Sequence, residues 1–266
     1  MTAVAAGASA QNGFRPPDSE LDPEVLRVDE SVYLGVKPAR ETALVLDDGR
    51  EVTLGDFRGK PLILVLSYFT CDGFCPAFNA DLQKVLEKVE ALKNVKIGDD
   101  FTVLTVSFDK NDTKDSSAMF HRSMGMSGKI GDNWRMATFK DPADLAKITS
   151  GLGFKFFWSP ADRMFFHPGV YYFMSPEGRV VRILQHSVAE PRDMELAIIE
   201  SKFNKLAPSE AGNMVMSMCY SYNFKEGKYG LNYPLFISFG SLVTGVTAFL
   251  FAANFQRKKA KRGKES

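Results

Sequence analysis

Two cysteines, Cys71 and Cys75, stand with three residues between them in the segment TCDGFCP (70–76). Thiolates attack disulfides and bind soft metal ions, so the pair could serve as a redox dithiol or hold a metal. Two intervening residues are typical of dithiol exchange and zinc knuckles, whereas the three found here are less usual. The chain also has no second cysteine pair to complete a four-cysteine zinc site. Two thiolates with one imidazole would suit a copper ion, Cu(I) or Cu(II), with Cu(I) favoured by the soft sulfurs. The alternative is that both cysteines are small buried hydrophobic residues.

Three histidines could supply the imidazole: His121, His167 and His186. His121 falls in a predicted helix and is typical of a surface or capping residue, and His186 ends a predicted strand. His167 lies in RMFFHPGVYYF, just before a predicted buried strand, and a parallel sheet could bring its loop to the same edge as the cysteines. His167 is therefore the best-placed third ligand. A packed or hydrogen-bonded histidine remains the alternative for all three.

The two elements around the cysteines are predicted from hydrophobic patterns. The continuous apolar run LILVLSYF (62–69) predicts a central strand buried on both faces. Apolar residues at spacings of three and four over 78–92 predict an amphipathic helix. The cysteines then lie at the carboxyl end of a strand and near a helix N-terminus. Ligands bind at this edge of open α/β sheets, and the helix dipole there favours a thiolate.

The remaining pattern predicts an α/β domain. Strands alternating with helices imply a parallel section, and a hairpin adds antiparallel strands, so we expect a mixed sheet flanked by helices. A thioredoxin-like core has this order, as do other α/β sandwiches. The further predicted elements are a hairpin at 43–46 and 51–54, a buried strand at 101–108, helices at 115–124 and 141–150, a hairpin at 169–174 and 179–184, and a helix at 191–206.

Composition is that of an ordinary globular chain. The 266 residues are 45% hydrophobic and 24% charged, with a formal net charge of +1. Such a chain can bury a full core, so it needs no disulfide framework, and three cysteines would be too few for one. The balance of charge argues against a strongly basic nucleic-acid binder and against an acidic disordered tail. No nucleic-acid partner is expected.

The charge is unevenly distributed near the C-terminus. No charged residue occurs between Lys228 and Arg257, and the tail 257–266 holds six basic residues against one acidic residue. Because about 20 apolar residues cross a bilayer, we predict a single transmembrane helix over 231–256, the alternative being a buried helix of a soluble core. Basic residues beside a span stay in the cytoplasm, so the tail would be cytoplasmic and the folded domain would lie on the outer, periplasmic side of the cell membrane.

Two further segments lie outside the predicted core. Residues 1–40 form an extended lead-in whose small residues 8–10 (ASA) look like the end of a signal peptide, the alternative being a flexible Ala/Gly-rich terminus. Residues 207–230 form a juxtamembrane segment in which Cys219 follows several methionines. Thioethers bind Cu(I), so a second copper site is one interpretation of this segment. A Met-rich stretch packing on the domain or membrane is the other, favoured one.

Over about residues 41–206 the chain resembles the Sco/SenC family of copper chaperones. The resemblance rests on DFRGKPLILVLSYFTCDGFCP, on LTVSFDKNDT, and on a downstream histidine before a hairpin with Pro-Glu-Gly. It implies a thioredoxin-like fold and copper bound through Cys71, Cys75 and His167. It also implies a role in assembling the dinuclear copper centre of cytochrome c oxidase, as a metallochaperone or as a thiol reductant.

Three features depart from the family pattern. Phe166 and Pro168 flank the histidine, where the family usually has Asp and a small polar residue. Many members are anchored at the N-terminus, whereas the predicted anchor of this chain is at the C-terminus. A cis Pro168 would favour a redox role, although a trans bond suits the sequence equally. Asp109 matches a family Asp, and we interpret it as a turn residue.

Two functions of other classes stay open beside the metallochaperone. One is a membrane-tethered thiol–disulfide oxidoreductase in which Cys71 attacks and Cys75 resolves. The other is an accessory subunit of a respiratory membrane complex that retains the fold. The metallochaperone is favoured over an enzyme.

Overall fold

The computed structural model describes residues 26–71, 74–203, 220–223, 228–231 and 233–262. The ASA segment of the lead-in, Cys219 and the methionines beside it lie outside these residues, and so does the end of the basic tail.

A central sheet is built from strands spread over most of the described chain. These are β1 (Ala43–Leu46), β2 (Glu51–Thr53), β3 (Leu62–Ser67), β4 (Thr102–Ser107), β5 (Trp134–Phe139), β8 (Val170–Met174) and β9 (Val180–Gln185). Two small hairpins lie apart from it, β6 (Phe157–Ser159) with β7 (Met164–Phe166), and β10 (Tyr220–Asn223) with β11 (Lys228–Leu231). The helices are α1 (Glu30–Tyr33), α2 (Phe74–Leu92), α3 (Lys114–Ser123), α4 (Gly128–Asn133), α5 (Pro142–Gly151), α6 (Pro191–Lys202) and α7 (Tyr233–Arg262).

The strand order is β2-β1-β5-β4-β3-β8-β9. The three central strands β5, β4 and β3 are parallel, with Leu62 paired to Thr102 and Ser67 to Ser107, whereas β1 and β8 add antiparallel neighbours on the two sides. The prediction of a thioredoxin-like mixed sheet flanked by helices is therefore confirmed.

Strand β3 lies between two hydrophobic layers, and all six of its residues are buried. Leu64 and Leu66 face a layer that includes both cysteines, Phe108 and Phe154. Ile63 and Val65 face the second layer, which α2 and α6 cover with Phe78, Leu82, Leu86 and Ile198 among other residues. A strand buried on both faces needs an apolar residue at nearly every position, which is why its sequence shows no alternation.

Several described elements have no counterpart among the sequence predictions: β5, helices α1 and α4, and the β6–β7 and β10–β11 hairpins. Strand β5 is central, yet its sequence WRMATF mixes polar and apolar residues. Its polar side chains are satisfied inside the fold, since Trp134 Nε1 donates to Thr105 Oγ1 over 2.9 Å and Arg135 pairs with Asp47 over 2.8 Å. Helix α6 ends at Lys202, short of the predicted 206.

The described part of the lead-in, residues 26–40, packs on the domain, and Glu30–Tyr33 within it form a helix where the sequence predicted extended chain. Asp29 accepts a hydrogen bond from Ser31 N and caps α1. The buried carboxylate of Glu30 lies 3.2 Å from Arg182 and accepts a hydrogen bond from Ile183 N over 2.9 Å. A buried carboxylate must be paired, and this pairing holds the lead-in against β9.

At the C-terminal end, α7 exposes large apolar side chains, among them Phe249 and Phe251, which are 72% and 76% accessible. Within the part of the chain that the structure describes, no helix combines the length and the apolar character needed to cross a membrane. The predicted transmembrane helix over 231–256 is therefore not confirmed.

Candidate metal and dithiol site

Both motif cysteines lie at the carboxyl edge of β3. Cys71 follows the strand, and Cys75 lies in the first turn of α2, which begins at Phe74 rather than at the predicted residue 78. Both are free thiols and both are buried, Cys71 with 8% of its surface exposed and Cys75 with none. Asn79, one turn further along α2, donates to the Cys75 carbonyl over 2.9 Å. The helix thereby fixes Cys75 against the end of the strand.

His167 comes to the same place from a distant part of the chain. It directly follows β7, and its Nε2 lies 3.4 Å from Cys75 Sγ. The Cys71 thiol lies near both the Cys75 thiol and the Tyr68 hydroxyl and, after burial, raises the pKa of each. The structure thus brings the three predicted site residues together, with Cys75 in contact with His167. Over the described residues, no three His, Cys, Asp or Glu side chains are already arranged as a metal-binding group.

The tautomer of His167 follows from its second contact. Its Nδ1 lies 3.0 Å from the Pro168 carbonyl oxygen, which can only accept a hydrogen bond. Nδ1 therefore carries the proton, and Nε2 presents its lone pair to Cys75. The thiol of Cys75 is the donor in this contact. An imidazole nitrogen with a free lone pair beside a sulfur is the form that can bind a metal ion.

Burial keeps the His167 imidazole and the Cys75 thiol neutral. It lowers the pKa of His167 from 6.5 to about 4, against a smaller upward effect of the Pro168 carbonyl. Burial also raises the pKa of the Cys75 thiol well above its usual value, and Cys71 adds to the rise, while hydrogen bonds from Tyr68 N–H and Ser67 oppose it. At neutral pH the contact is therefore between an uncharged thiol and an uncharged imidazole.

Aromatic rings surround the imidazole. Its centroid lies 5.0 Å from that of Phe108, 5.8 Å from that of Phe154 and 6.2 Å from that of Tyr68. Phe166, the residue before His167, stacks on Phe157 with the ring centroids 5.5 Å apart. The orienting contact that a carboxylate would give the imidazole comes here from the Pro168 carbonyl. The bond preceding Pro168 is trans.

Two buried polar groups that sequence reasoning missed hold the cysteine segment in place. Asp112 accepts hydrogen bonds from Phe69 N over 2.7 Å, from Ser107 Oγ over 2.6 Å and from Ser116 Oγ over 2.9 Å. Asn79, besides binding the Cys75 carbonyl, donates to Ser67 Oγ over 3.2 Å. Asp112 thus ties the backbone two residues before Cys71 to the end of β4. The sequence signals for Asp112 are its place after a predicted buried strand and its position within LTVSFDKNDT.

The other two histidines lie elsewhere. His121 Nδ1 pairs with Asp47, which follows β1, three strands from β3 in the sheet order. His186 Nε2 lies 3.4 Å from Asp81, with its ring 5.1 Å from that of Phe78. Asp109 accepts a hydrogen bond from Asn111 N over 2.9 Å, which makes it the turn residue that the sequence predicted.

Comparison with known proteins gives one family. The SCO1/SenC family model matches residues 39–201. No curated protein sequence matches the chain.

This chain covers nearly the whole length of several solved structures of similar fold. A putative electron transfer protein from Aquifex aeolicus is 28% identical, with a TM-score of 0.57 over 64% of this chain and 95% of that one. Arabidopsis thaliana ScoI with copper bound is 19% identical, with a TM-score of 0.51 over 65% and 99%. A SCO1/SenC family lipoprotein from Bacillus anthracis is 16% identical, with a TM-score of 0.52 over 61% and 94%. The last two likenesses concern the fold alone.

Proposed function

Because the chain belongs to the SCO1/SenC family, we propose that it binds copper and takes part in assembling the copper centre of a respiratory cytochrome c oxidase. It would act there as a metallochaperone or as a thiol reductant of the receiving oxidase subunit. The observation that carries the proposal is the contact between Cys75 Sγ and His167 Nε2, with the Cys71 thiol beside it. The copper bound to the Arabidopsis protein of the same fold agrees with it.

The residues present fit a copper ion as cargo. Two sulfurs and one imidazole nitrogen are a donor set suited to copper, and the rings around His167 keep bulk water away from the nitrogen. His167 needs no deprotonation, because burial and the Pro168 carbonyl already leave its Nε2 lone pair free. Cys75 must lose a proton whose departure burial opposes. Copper uptake should therefore release protons and weaken as the pH falls.

Titration of the reduced full-length protein with copper tests this function. We expect one tightly bound equivalent, with a loss of affinity of at least about tenfold in His167→Ala and loss of the site in Cys71→Ser and Cys75→Ser. His186→Ala is the matched control, because His186 lies outside the site and pairs with Asp81. Equal affinity of the His167 and His186 variants would contradict the assignment of His167.

A copper-independent thiol–disulfide oxidoreductase is the second candidate, because the Cys71 thiol lies near the Cys75 thiol at the same edge of the sheet. Cys71 is the more exposed of the two and would attack the substrate disulfide, and Cys75 would then attack the mixed disulfide and release the product as a dithiol. Reduction of insulin by the copper-free protein, with dithiothreitol present to reduce the Cys71–Cys75 disulfide after each cycle and a protein-free blank subtracted, measures this activity. Turnover without any copper binding would replace the first proposal with this one.

We place the protein at the cell membrane, with the folded domain on the outer side. The support is sequence-based: the uncharged stretch between Lys228 and Arg257 and the basic tail that follows it. The exposed apolar side chains of α7 agree with a place in lipid. Carbonate extraction of membranes should leave the protein in the pellet, and protease added to intact spheroplasts should remove the domain. Release into the supernatant would contradict the anchor.

A further inference from the structure

The β6–β7 hairpin exposes aromatic side chains beside the cysteine site. Phe157 is 39% exposed and Trp158 is 49% exposed. Over the described residues 26–71 and 74–203, these two are the only aromatic side chains among the exposed large hydrophobic residues. Aromatic residues are enriched in protein interfaces, where they contribute much of the binding energy. The hairpin is therefore a candidate interaction surface.

Ring contacts connect this surface to His167. The Phe157 ring stacks on that of Phe166, which directly precedes His167. The Trp158 ring meets that of Phe165 edge-on, with the centroids 5.0 Å apart, and the two residues pair across the hairpin. Phe165 lies two residues before His167. A partner seated on the hairpin would therefore lie directly beside the site.

Two cations flank the aromatic side chains. Lys155 lies two residues before β6 and Arg163 directly precedes β7, and both are exposed. Within the part of the chain that the structure describes, neither forms an ion pair. The hairpin also carries one carboxylate, that of Asp162, which accepts a hydrogen bond from Ser159 Oγ over 2.7 Å. The surface thus combines aromatic rings with unpaired positive charge, and this combination complements an acidic, partly apolar protein segment.

We propose that the hairpin surface, formed by Lys155, Phe157, Trp158 and Arg163, docks an acidic, partly apolar segment of the oxidase subunit that receives the copper. The identity of this partner rests on the proposed function. Aromatic residues beside cations also suit a membrane surface. Lipid seated on this hairpin would, however, keep a partner protein away from the thiols.

The burial of the cysteines is the reason for a docking surface beside them. Cys71 is 8% exposed and Cys75 is fully buried. Copper can pass to the partner only when the partner's own ligands come within bonding distance of the ion. A partner held by the hairpin surface stays beside the site long enough for its ligands to reach the ion.

The first test measures binding of the metal-free, reduced copper domain of the oxidase subunit from the same organism to copper-free full-length protein. Isothermal titration should show binding at least about tenfold weaker in Trp158→Ala, because truncating an aromatic anchor removes much of the binding energy. Leu92→Ala is the matched control. Leu92 is 44% exposed and ends α2, whereas Cys75 lies in the first turn of that helix. This variant should bind as the wild type does.

A charge reversal keeps the test decisive if Trp158→Ala loosens the hairpin. The double variant Lys155→Glu/Arg163→Glu changes two exposed side chains and should bind about tenfold more weakly at low salt. The difference should shrink as the ionic strength rises. Lys88→Glu/Lys93→Glu reverses two exposed cations at the end of α2 and should match the wild type. Equal binding by all these variants and the wild type would overturn the inference.

Two other occupants of the surface would also overturn it. Trp134 is fully buried, so Trp158 is the one of the two tryptophans that lipid could quench. Strong quenching by brominated lipids in vesicles that hold the full-length protein would assign the surface to the membrane. A dimer that Trp158→Ala dissociates, with oxidase binding unchanged, would assign the surface to a second copy.

The outcomes for copper and for docking are separable. If the wild type binds the oxidase domain and no copper, the copper function fails and the docking surface stands. If the wild type binds copper and not the oxidase domain, the docking inference alone fails.

Discussion

At the residue scale, His167 is held in a form that cannot readily take up a proton. Burial lowers its pKa to about 4 from 6.5. When the pH falls through this interval, the unfolded chain binds a proton before the folded protein does, so the folded state loses stability. Between pH 7 and pH 4.5 this residue alone should remove about 2 kcal/mol from the free energy of unfolding.

His167→Phe isolates this contribution, because phenylalanine fills an aromatic site and does not titrate. Urea unfolding of the copper-free protein at the two pH values should show a smaller loss of stability in His167→Phe than in the wild type, by about 2 kcal/mol. His186→Phe, a change outside the site, should keep the wild-type loss. Identical losses in all three proteins would show that His167 is not neutral and buried in solution.

At the scale of elements, Asp112 joins the start of the α3 segment to the ends of β3 and β4. Its carboxylate accepts three hydrogen bonds, and one of them comes from the backbone N–H of Phe69, two residues before Cys71. Replacement by alanine leaves the buried Phe69 N–H without an acceptor, so Asp112→Ala should lower the free energy of unfolding by about 2–4 kcal/mol. Copper affinity should fall with it, because Cys71 is then less well placed.

Asp109→Ala is the matched control for Asp112→Ala. Asp109 lies in the same loop, and its acceptor contact is a local one with Asn111. Loss of this contact should lower the free energy of unfolding by about 1 kcal/mol or less, with copper affinity unchanged. Urea unfolding and copper titration of both variants measure the difference, and equal effects would show that Asp112 is only another turn residue.

The elements that carry the cysteines were predictable because their signals are local. A continuous apolar run marks β3, and apolar residues at helical spacing mark α2. Helix α2 begins at Phe74, four residues before the predicted start at 78, and Pro76 fits there because proline is tolerated in the first turn of a helix. Strand β5 gave no such signal, since its polar side chains are satisfied by partners far away in sequence.

The site residues also divide into those with a sequence signal of their own and those that depend on distant partners. Cys71 and Cys75 are recognisable from their own spacing, and His167 from the family resemblance. Tyr68 and Asp112 are not, because their partners lie 97 and 43 residues away from them, respectively. Such contacts depend on strand register and on the position of a loop, and a short sequence pattern predicts neither of them.

At the scale of the whole molecule, the lead-in is part of the folded unit. The Glu30 carboxylate lies 3.2 Å from Arg182 on β9, and Arg182 in turn lies 2.6 Å from Glu200 on α6. Gly35 N donates to the Val180 carbonyl over 2.8 Å. One cation, whose side chain is 11% exposed, therefore joins the lead-in, the edge strand of the sheet and the last helix of the domain.

Glu30→Ala should lower the free energy of unfolding of the domain by about 2 kcal/mol. The substitution removes the acceptor of the buried Ile183 N–H and a carboxylate that pairs with Arg182, while Glu200 continues to pair with Arg182 and limits the loss. Glu51→Ala is the matched control, because Glu51 pairs with Lys140 on the surface with both side chains at least half exposed, and such pairs contribute about 0–1 kcal/mol. Urea unfolding compares the two variants, and hydrogen exchange at β9 should rise only in Glu30→Ala. If the two variants were equally stable, with β9 equally protected, the lead-in would not be part of the cooperative unit.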